Sequence, residues 1–369
     1  MLVATTIQQS VAYVIVAILT VGIILWLLGN VRRAKPEIGS EIELAANRKP
    51  YFDDEAMEGK RLDSVLRWAL LSLTIIAVGL PLYWLAEPGR QSGAIANFKT
   101  TFAERGAALF AVTADGGFNC AGCHGGVAGG PVTYTMTDPN TGKLRQVEWK
   151  APSLDDVTLR MSDAQITEVL TYGRTFSPMP AWGLAGGGPM NDQQISNLVE
   201  YLHSVTISPA AARKRATANA EAELQRLQDP QAALAAAQAA VAAATDETQK
   251  LQAESLVTEA EAIIATGQQP SMGAALFNMN CARCHTGGWS FFEPEPPGAG
   301  AMGPPLTNVT HQFLKVQDQF DFVSDGKKVG EKYGRQGKTS GRMPFFNQLL
   351  TKQQIQAIVD YERTLDREP

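Results

Sequence analysis

The sequence predicts an all-α chain in which two N-terminal transmembrane helices precede two similar small domains joined by a helical linker. Three observations predict this architecture: two uncharged apolar stretches near the N-terminus, a unit that occurs twice after residue 90, and an Ala/Gln/Glu-rich segment between the two copies. The length of 369 residues also exceeds that of one typical domain. The mild net charge of −5 does not indicate a nucleic-acid-binding protein.

The membrane anchor is predicted over residues 1–90. Val11–Leu28 and Trp68–Ala86 contain no charged residue, and each is long enough for a membrane-spanning helix. The segment 29–67 between them is rich in Lys and Arg, which predicts a cytoplasmic loop with both chain termini outside. The alternative for the first stretch is a cleaved signal peptide, although it lacks a basic leading region. The two-span interpretation places the two C-terminal domains on the extracytoplasmic side.

All four cysteines lie in two copies of one short pattern, Cys-x-x-Cys-His. The copies are Cys120-Ala-Gly-Cys123-His124 and Cys281-Ala-Arg-Cys284-His285. This pattern is typical of covalent haem c attachment, because the thiols bond to the porphyrin and the adjacent imidazole binds the iron. A redox-active disulfide and a shared zinc site are the rival interpretations. The repeated His disfavours the first, and the long separation of the pairs disfavours the second. The sequence therefore predicts two covalently bound haem c groups.

The repeated unit extends well beyond the cysteines. Residues 106–110 and 273–277 share the sequence Gly-Ala-Ala-Leu-Phe before each motif, and 192–201 and 352–361 close the two copies with similar apolar helical spacing. We expect the first and last helices of each copy to cross closely at the small glycine. A tyrosine on each last helix would then fill the crossing beside the phenylalanine.

Each copy resembles a class I cytochrome c domain, over about 91–208 and 269–369. With the anchor, the chain is similar to membrane-anchored di-haem cytochrome c subunits, either of bacterial bc-type quinol–cytochrome c reductases or of cbb-type oxidases. The resemblance implies an electron-transfer subunit in the plasma membrane of a bacterium, relaying electrons from a quinol-oxidising complex towards a terminal oxidase. It implies cytochrome b, a Rieske protein or a haem–copper oxidase as partners, together with the lipid bilayer.

The same resemblance implies the remaining haem contacts. Met179 and Met343, each followed by Pro in a loop before the last helix, correspond to the sixth iron ligand, so that the irons would be held by His124 with Met179 and by His285 with Met343. The carbonyl oxygens of Pro152 and Pro304 would accept the Nδ1 proton of the iron-binding histidines. Other candidate ligands remain open: Met136, Met161 and Met190 for the first haem, and Met302 and His311 for the second. His203 and His311 are expected to be surface or structural residues.

Two segments depart from the family pattern. Residues 132–149 predict a β-hairpin, which is either a docking element for a partner subunit or an ordinary surface insertion. Residues 209–268 predict a helical linker in which Leu224 and Leu227 face Leu234 and Val241 in a hairpin. This linker is either a spacer that sets the geometry of the haem domains or a solvated insertion without that role.

A different functional class, a di-haem enzyme such as a peroxidase, would need an open iron coordination position and nearby acid–base groups. The chain contains only four histidines, two of which lie in the cysteine motifs. The sequence therefore favours an electron carrier without catalytic residues of its own over an enzyme.

Overall fold

A computed structural model describes residues 7–33, 59–137, 142, 144–174, 177–289, 295–335 and 337–366. The contacts between residues divide the chain into two compact units, Met1–Glu87 and Pro88–Pro369. The predicted boundary at 90/91 lies close to this division. The predicted loop at 29–67 falls largely on residues 34–58, which lie outside the described residues.

The N-terminal unit is helical wherever it is described. Helix α1 spans Ile7–Arg33, and helix α2 begins at Lys60 and continues to Phe110. Within the described residues, one helix is long and apolar enough to cross a membrane, Leu62–Phe110, and none of its most apolar window is buried. The apolar run found in α1, Ala17–Trp26, is shorter. One candidate span is thus clear, where the sequence analysis expects two.

Helix α2 joins two elements that the sequence analysis treats as separate. The apolar stretch Trp68–Ala86 and the first helix of the first repeat, which contains Gly106, lie in this one continuous helix. Pro81 and Pro88 lie inside it, and each lacks a backbone N–H donor, yet the helix continues on both sides. The division between the two units therefore falls at a position inside this helix.

The first repeat contains short helices and one hairpin. Its helices are α3 (Cys120–Cys123), α4 (Asp163–Tyr172) and α5 (Asp192–Val205), with 3-10 turns at Thr113–Asp115, Val157–Leu159 and Leu184–Gly186. Strands β1 (Gly130–Thr137) and β2 (Leu144–Ala151) pair antiparallel, as the sequence predicts. Both α4 and α5 begin with a capping box, in which the Gln at the third helical position and the N-cap side chain satisfy each other's backbone N–H groups.

The linker and the second repeat complete the larger unit. Linker helices are α6 (Pro209–Gln228), α7 (Pro230–Ala243) and α8 (Glu247–Thr266). The second repeat contains α9 (Met272–Asn280), α10 (Ala282–His285), α11 (Val309–Gln312), α12 (Val316–Asp325) and α13 (Lys352–Thr364). A small antiparallel pair, β3 (Lys332–Tyr333) and β4 (Gly337–Lys338), was not predicted.

The predicted helix crossings are present in both repeats. A Cβ atom at Gly106 would lie 2.0 Å from the backbone oxygen of Asn197, and one at Gly273 would lie 2.2 Å from that of Ala357. Only glycine permits these backbones to approach so closely. The aromatic pairs also form, with ring centroids 5.1 Å apart for Phe110–Tyr201 and 5.4 Å apart for Phe277–Tyr361.

The linker helices contribute to the core of the second repeat. Ala212 and Ala220 on α6 are fully buried in a cluster that includes Phe277 of α9. The predicted contact of Leu224 and Leu227 with α7 is wrong, because both side chains pack in a cluster with residues of α8 and α9. The linker hairpin is formed by α7 and α8 instead. A solvated insertion that lacks contact with the domains does not fit this packing.

Ion pairs tie the same linker to the first repeat. The guanidinium of Arg215 on α6 binds the carboxylates of Asp155 and Asp156 at 2.7 and 2.8 Å. These contacts raise the pKa of Arg215, the hydrogen bond to Asp155 having the largest effect. Lys150 at the end of β2 pairs with Glu259 on α8. The linker therefore contacts both repeats.

Candidate haem-binding clefts

The first cysteine motif forms a single helical turn. Cys120 and Cys123 begin and end α3, and residues three apart on a helix lie on the same face. Asn119 before the turn has a φ of 65°, which makes it the one non-glycine residue with positive φ in the part of the chain that the structure describes. Asparagine tolerates this left-handed conformation better than most residues. Both thiols are thus presented to the same side.

His124 follows this turn and is held by the backbone. Its Nδ1 atom lies 3.0 Å from the carbonyl oxygen of Pro152. Since a carbonyl can only accept a hydrogen bond, Nδ1 carries the proton and Nε2 keeps its lone pair. Burial lowers the pKa of His124, more than this hydrogen bond raises it, so the ring is neutral at physiological pH. A neutral imidazole held in this tautomer is the form that ligates a metal.

The second motif repeats the arrangement with a more enclosed histidine. His285 is 7% exposed, and its Nδ1 atom lies 2.8 Å from the carbonyl oxygen of Pro304. Gly303 lies directly against the imidazole ring, and a Cβ atom at this position would lie 2.7 Å from Cε1 of His285. Burial lowers the pKa of His285 as well. In both copies the hydrogen bond has the partner that the family resemblance implies.

The thiols of Cys120 and Cys281 are poorly suited to redox chemistry of their own. Burial raises the pKa of Cys120 to about 11 and raises that of Cys281 well above its ordinary value. Redox-active Cys-x-x-Cys pairs show the opposite shift, because they react as thiolates. The environment of these cysteines therefore does not fit a thioredoxin-like dithiol.

Met179 and Met343 occupy corresponding positions in the two repeats. A glycine ends the helix before each loop, Gly173 after α4 and Gly326 after α12, with φ values of 71° and 63°. A Cβ at Gly173 would lie 2.7 Å from the backbone oxygen of Met179, and one at Gly326 would lie 3.2 Å from that of Met343. Sequence inspection missed Gly326, because its distance from the methionine differs from that in the first repeat.

The two clefts open into one cavity of about 460 Å³. The residues of both motifs and both methionines line it: Cys120, Cys123, His124, Met179, Cys281, Cys284, His285 and Met343. Pro152 lies in the wall too, whereas Pro304 lies behind His285. The residues expected to hold two separate cofactors thus surround a single continuous space.

A cytochrome c family model matches residues 103–206 and 270–366, more than half of the chain. The chain belongs to the cytochrome c family. Each matched range contains one cysteine motif and its histidine, so this cytochrome c carries two family domains, which imply covalently bound haem c in each and haem-based electron transfer. Comparison with curated proteins and with solved structures produced no match.

The residues of this cytochrome c fit the cofactor that the family implies. Among the described residues, the Nε2 atoms of His124 and His285 have no hydrogen-bond partner in the protein, while both Nδ1 atoms do. A buried polar atom without a partner is costly, and an iron ion would satisfy it. When bound, haem supplies a one-electron oxidation and reduction at its iron.

The other candidate ligands of the cytochrome c occupy varied positions. Met161 and Met302 line the cavity, and Met190 is fully buried in the hydrophobic core of the first repeat. The side chain of Met136 lies outside the described residues. His203 is exposed and lies 2.8 Å from the carboxylate of Asp163, and His311 is exposed on α11, in keeping with surface roles.

Three arginines that line the cavity, Arg160, Arg174 and Arg283, were not predicted from the sequence. Burial lowers the pKa of Arg174, and it lowers that of Arg283 to about 10. Each of the two lies close enough to other arginines for their charges to add to the lowering. Arg283 lies inside the second motif and Arg174 in the first methionine loop, so their positions in the sequence could have suggested that they line the cavity.

Proposed function

We propose that this cytochrome c is a membrane-anchored di-haem electron-transfer subunit of a respiratory complex, relaying electrons from a quinol-oxidising complex towards a terminal oxidase. The observation that carries the proposal is the shared cavity, whose walls contain both cysteine motifs and both candidate methionine ligands. Two cofactors held in one cavity of one compact unit suit electron exchange between them.

In this proposal the chain would supply two protein ligands for each iron. The cysteines would bind the porphyrin covalently, while His124 with Met179 and His285 with Met343 would bind the two irons. An iron with two protein ligands has no open position for a substrate, which suits an electron carrier better than a peroxidase. Methionine as the second ligand also favours a high reduction potential.

The membrane part of the proposal rests on helices α1 and α2. The apolar window of α2 is unburied, and its side chains, among them Leu73, Ile76 and Leu80, are exposed as they would be to lipid. We infer that α1 provides the second span and that segment 29–67 is cytoplasmic, because its Lys and Arg excess follows the positive-inside rule. The haem domains would then lie on the extracytoplasmic side.

The test is to extract the full chain from its native membrane in mild detergent, separate it on a native gel and stain for haem. Co-migration with a cytochrome b and a Rieske protein supports a quinol-oxidising complex. Co-migration with haem–copper oxidase subunits alone assigns the chain to an oxidase as its electron-input arm. A lone haem-stained band would overturn the proposal that it is a subunit of a complex.

Two double cysteine variants test whether each motif binds one haem. Replacing Cys281 and Cys284 by Ala should halve the haem bound per chain, and the Cys120/Cys123 double variant should do the same. Visible spectra of the native protein should show low-spin haem only. A high-spin component together with turnover of peroxide would overturn the electron-carrier assignment and favour a di-haem peroxidase.

A further inference from the structure

Two arginines of the shared cavity reach across from one repeat to the other. Arg174 belongs to the methionine loop of the first repeat, yet it lines the same cavity as Cys284 of the second motif, and the two groups are close enough for Cys284 to affect the pKa of Arg174. Arg283 belongs to the second motif, yet its Nη1 atom donates a hydrogen bond to the carbonyl oxygen of Lys150 in the first repeat. Lys150 lies two residues before Pro152, whose carbonyl holds His124. Each repeat thus contributes one arginine that extends towards the other repeat.

Neither of these two cations forms an ion pair within the described residues. Arg174 donates to the sulfur of Met161 at 3.7 Å, and Arg283 stacks on Trp289 at 5.1 Å from the ring centroid. The neighbouring Arg160, in contrast, pairs with Asp156 at 3.1 Å. Positive groups in a cavity without a paired carboxylate are costly unless a ligand brings negative charge. The carboxylate side chains of haem have that charge.

The geometry points to Arg174 and Arg283 as cross-domain charges, each lying at the haem cleft of the repeat to which it does not belong and stabilising the reduced haem there. This inference rests on the proposed function, because it requires haem in both clefts. Reduction adds one electron to ferric iron and gives ferrous iron, so the iron loses one positive charge. A fixed positive charge nearby favours that change, and the effect is strong where water is excluded.

Since each cleft is lined by a charge anchored in the other repeat, the potential of each haem depends on how the repeats are packed. Arg160 also lines the cavity, but its charge is balanced by Asp156, so it should contribute less. The unpaired arginines are therefore the positions to test.

The experiment is a mediated redox titration of the full-length holoprotein in detergent, followed by haem absorbance, with dithionite as reductant. R174Q and R283Q should each lower the reduction equilibrium constant of at least one haem about tenfold, which is about 59 mV for a one-electron couple. R174K and R283K keep the charge and should retain most of the native potential. R213Q removes an exposed arginine of α6 and should leave both potentials unchanged.

The cross-domain claim is tested in a chain that carries only the second haem. In the C120A/C123A background, R174Q should still lower the potential of the remaining haem, although Arg174 belongs to the first repeat. Unchanged potentials for R174Q and R283Q in protein with two haems per chain, counted by the pyridine haemochromogen assay, would overturn the inference and leave the proposed function intact. Absence of haem from the native protein would overturn the proposed function instead. Should R283Q fail to mature, R174Q alone decides.

Discussion

The Nε2 atom of Gln165 donates a hydrogen bond to the backbone oxygen of Gly341, a residue 176 positions away in the methionine loop of the other repeat. The same nitrogen lies 3.5 Å from the backbone oxygen of Met343. The other end of the side chain, Oε1, accepts from the backbone N–H of Ser162 at 2.8 Å in the capping box of α4. One glutamine therefore caps a helix of the first repeat and holds the methionine loop of the second.

Gln165→Glu separates these two roles, because a carboxylate still accepts from Ser162 but cannot donate to Gly341. We expect the Met343 ligand to be displaced by about fivefold less added imidazole, since a lost hydrogen bond is worth about 1 kcal/mol. The measurement is an imidazole titration followed by haem absorbance. Gln194→Glu alters the equivalent capping box of α5 and is the matched control. Equal imidazole affinity in native protein and Q165E would show that the loop does not depend on Gln165.

The assignment of the iron ligands predicts a clear difference between methionines. Met179→Ala and Met343→Ala should each convert one haem to a high-spin spectrum and lower its potential, because the iron loses its second protein ligand. Met161→Ala and Met302→Ala remove methionines that line the same cavity and should leave both haems low-spin. Absorption spectra of the four variants decide the matter. A high-spin haem in M161A or M302A would transfer the ligand role to that residue.

The helix crossing at Gly106 predicts a stability loss that depends on position. Gly106→Ala places a methyl group against the backbone of Asn197, and overpacking of this kind costs about 1–3 kcal/mol. Gly93→Ala is the control on the same helix, since nothing lies within 4 Å of a Cβ there. Thermal unfolding in detergent, followed by haem absorbance, should show a lower midpoint for G106A and an unchanged or higher one for G93A. Equal midpoints would contradict the close crossing.

A buried acid predicts how stability varies with pH. Burial raises the pKa of Glu362 to about 7, although the hydrogen bond from Gln319 at 2.9 Å opposes the shift. The folded protein therefore holds a proton that the unfolded chain releases above a pKa of about 4.3. Stability should fall as pH rises between these values, by up to roughly 3 kcal/mol.

Glu362→Gln is the variant that tests this dependence, because the amide cannot ionise and can still accept from Gln319. Melting curves should coincide for the two proteins near about pH 4, and the variant should be the more stable near about pH 8. The same difference at both pH values would show that Glu362 does not titrate in this range.

Much of the local structure follows from the sequence alone. The cysteine motifs and the hairpin at 132–149 depend on residues close together in the chain, whose spacing restricts the backbone directly. The glycine at each helix crossing was predicted because the same pattern of small and aromatic residues stands in both copies. The repeat strengthens the inferences about the cysteine motifs and the glycines, since both patterns appear twice.

Only the tertiary structure decided how the two copies are combined. The two clefts form one cavity, Arg174 and Arg283 extend towards the other repeat, and Gln165 binds the second methionine loop. Each of these features joins residues more than 100 positions apart. The packing of α6 into the second core also went unforeseen, because its alanines show no strong apolar stripe in the sequence. Contacts of this kind depend on how whole surfaces fit together, and no local spacing or propensity encodes them.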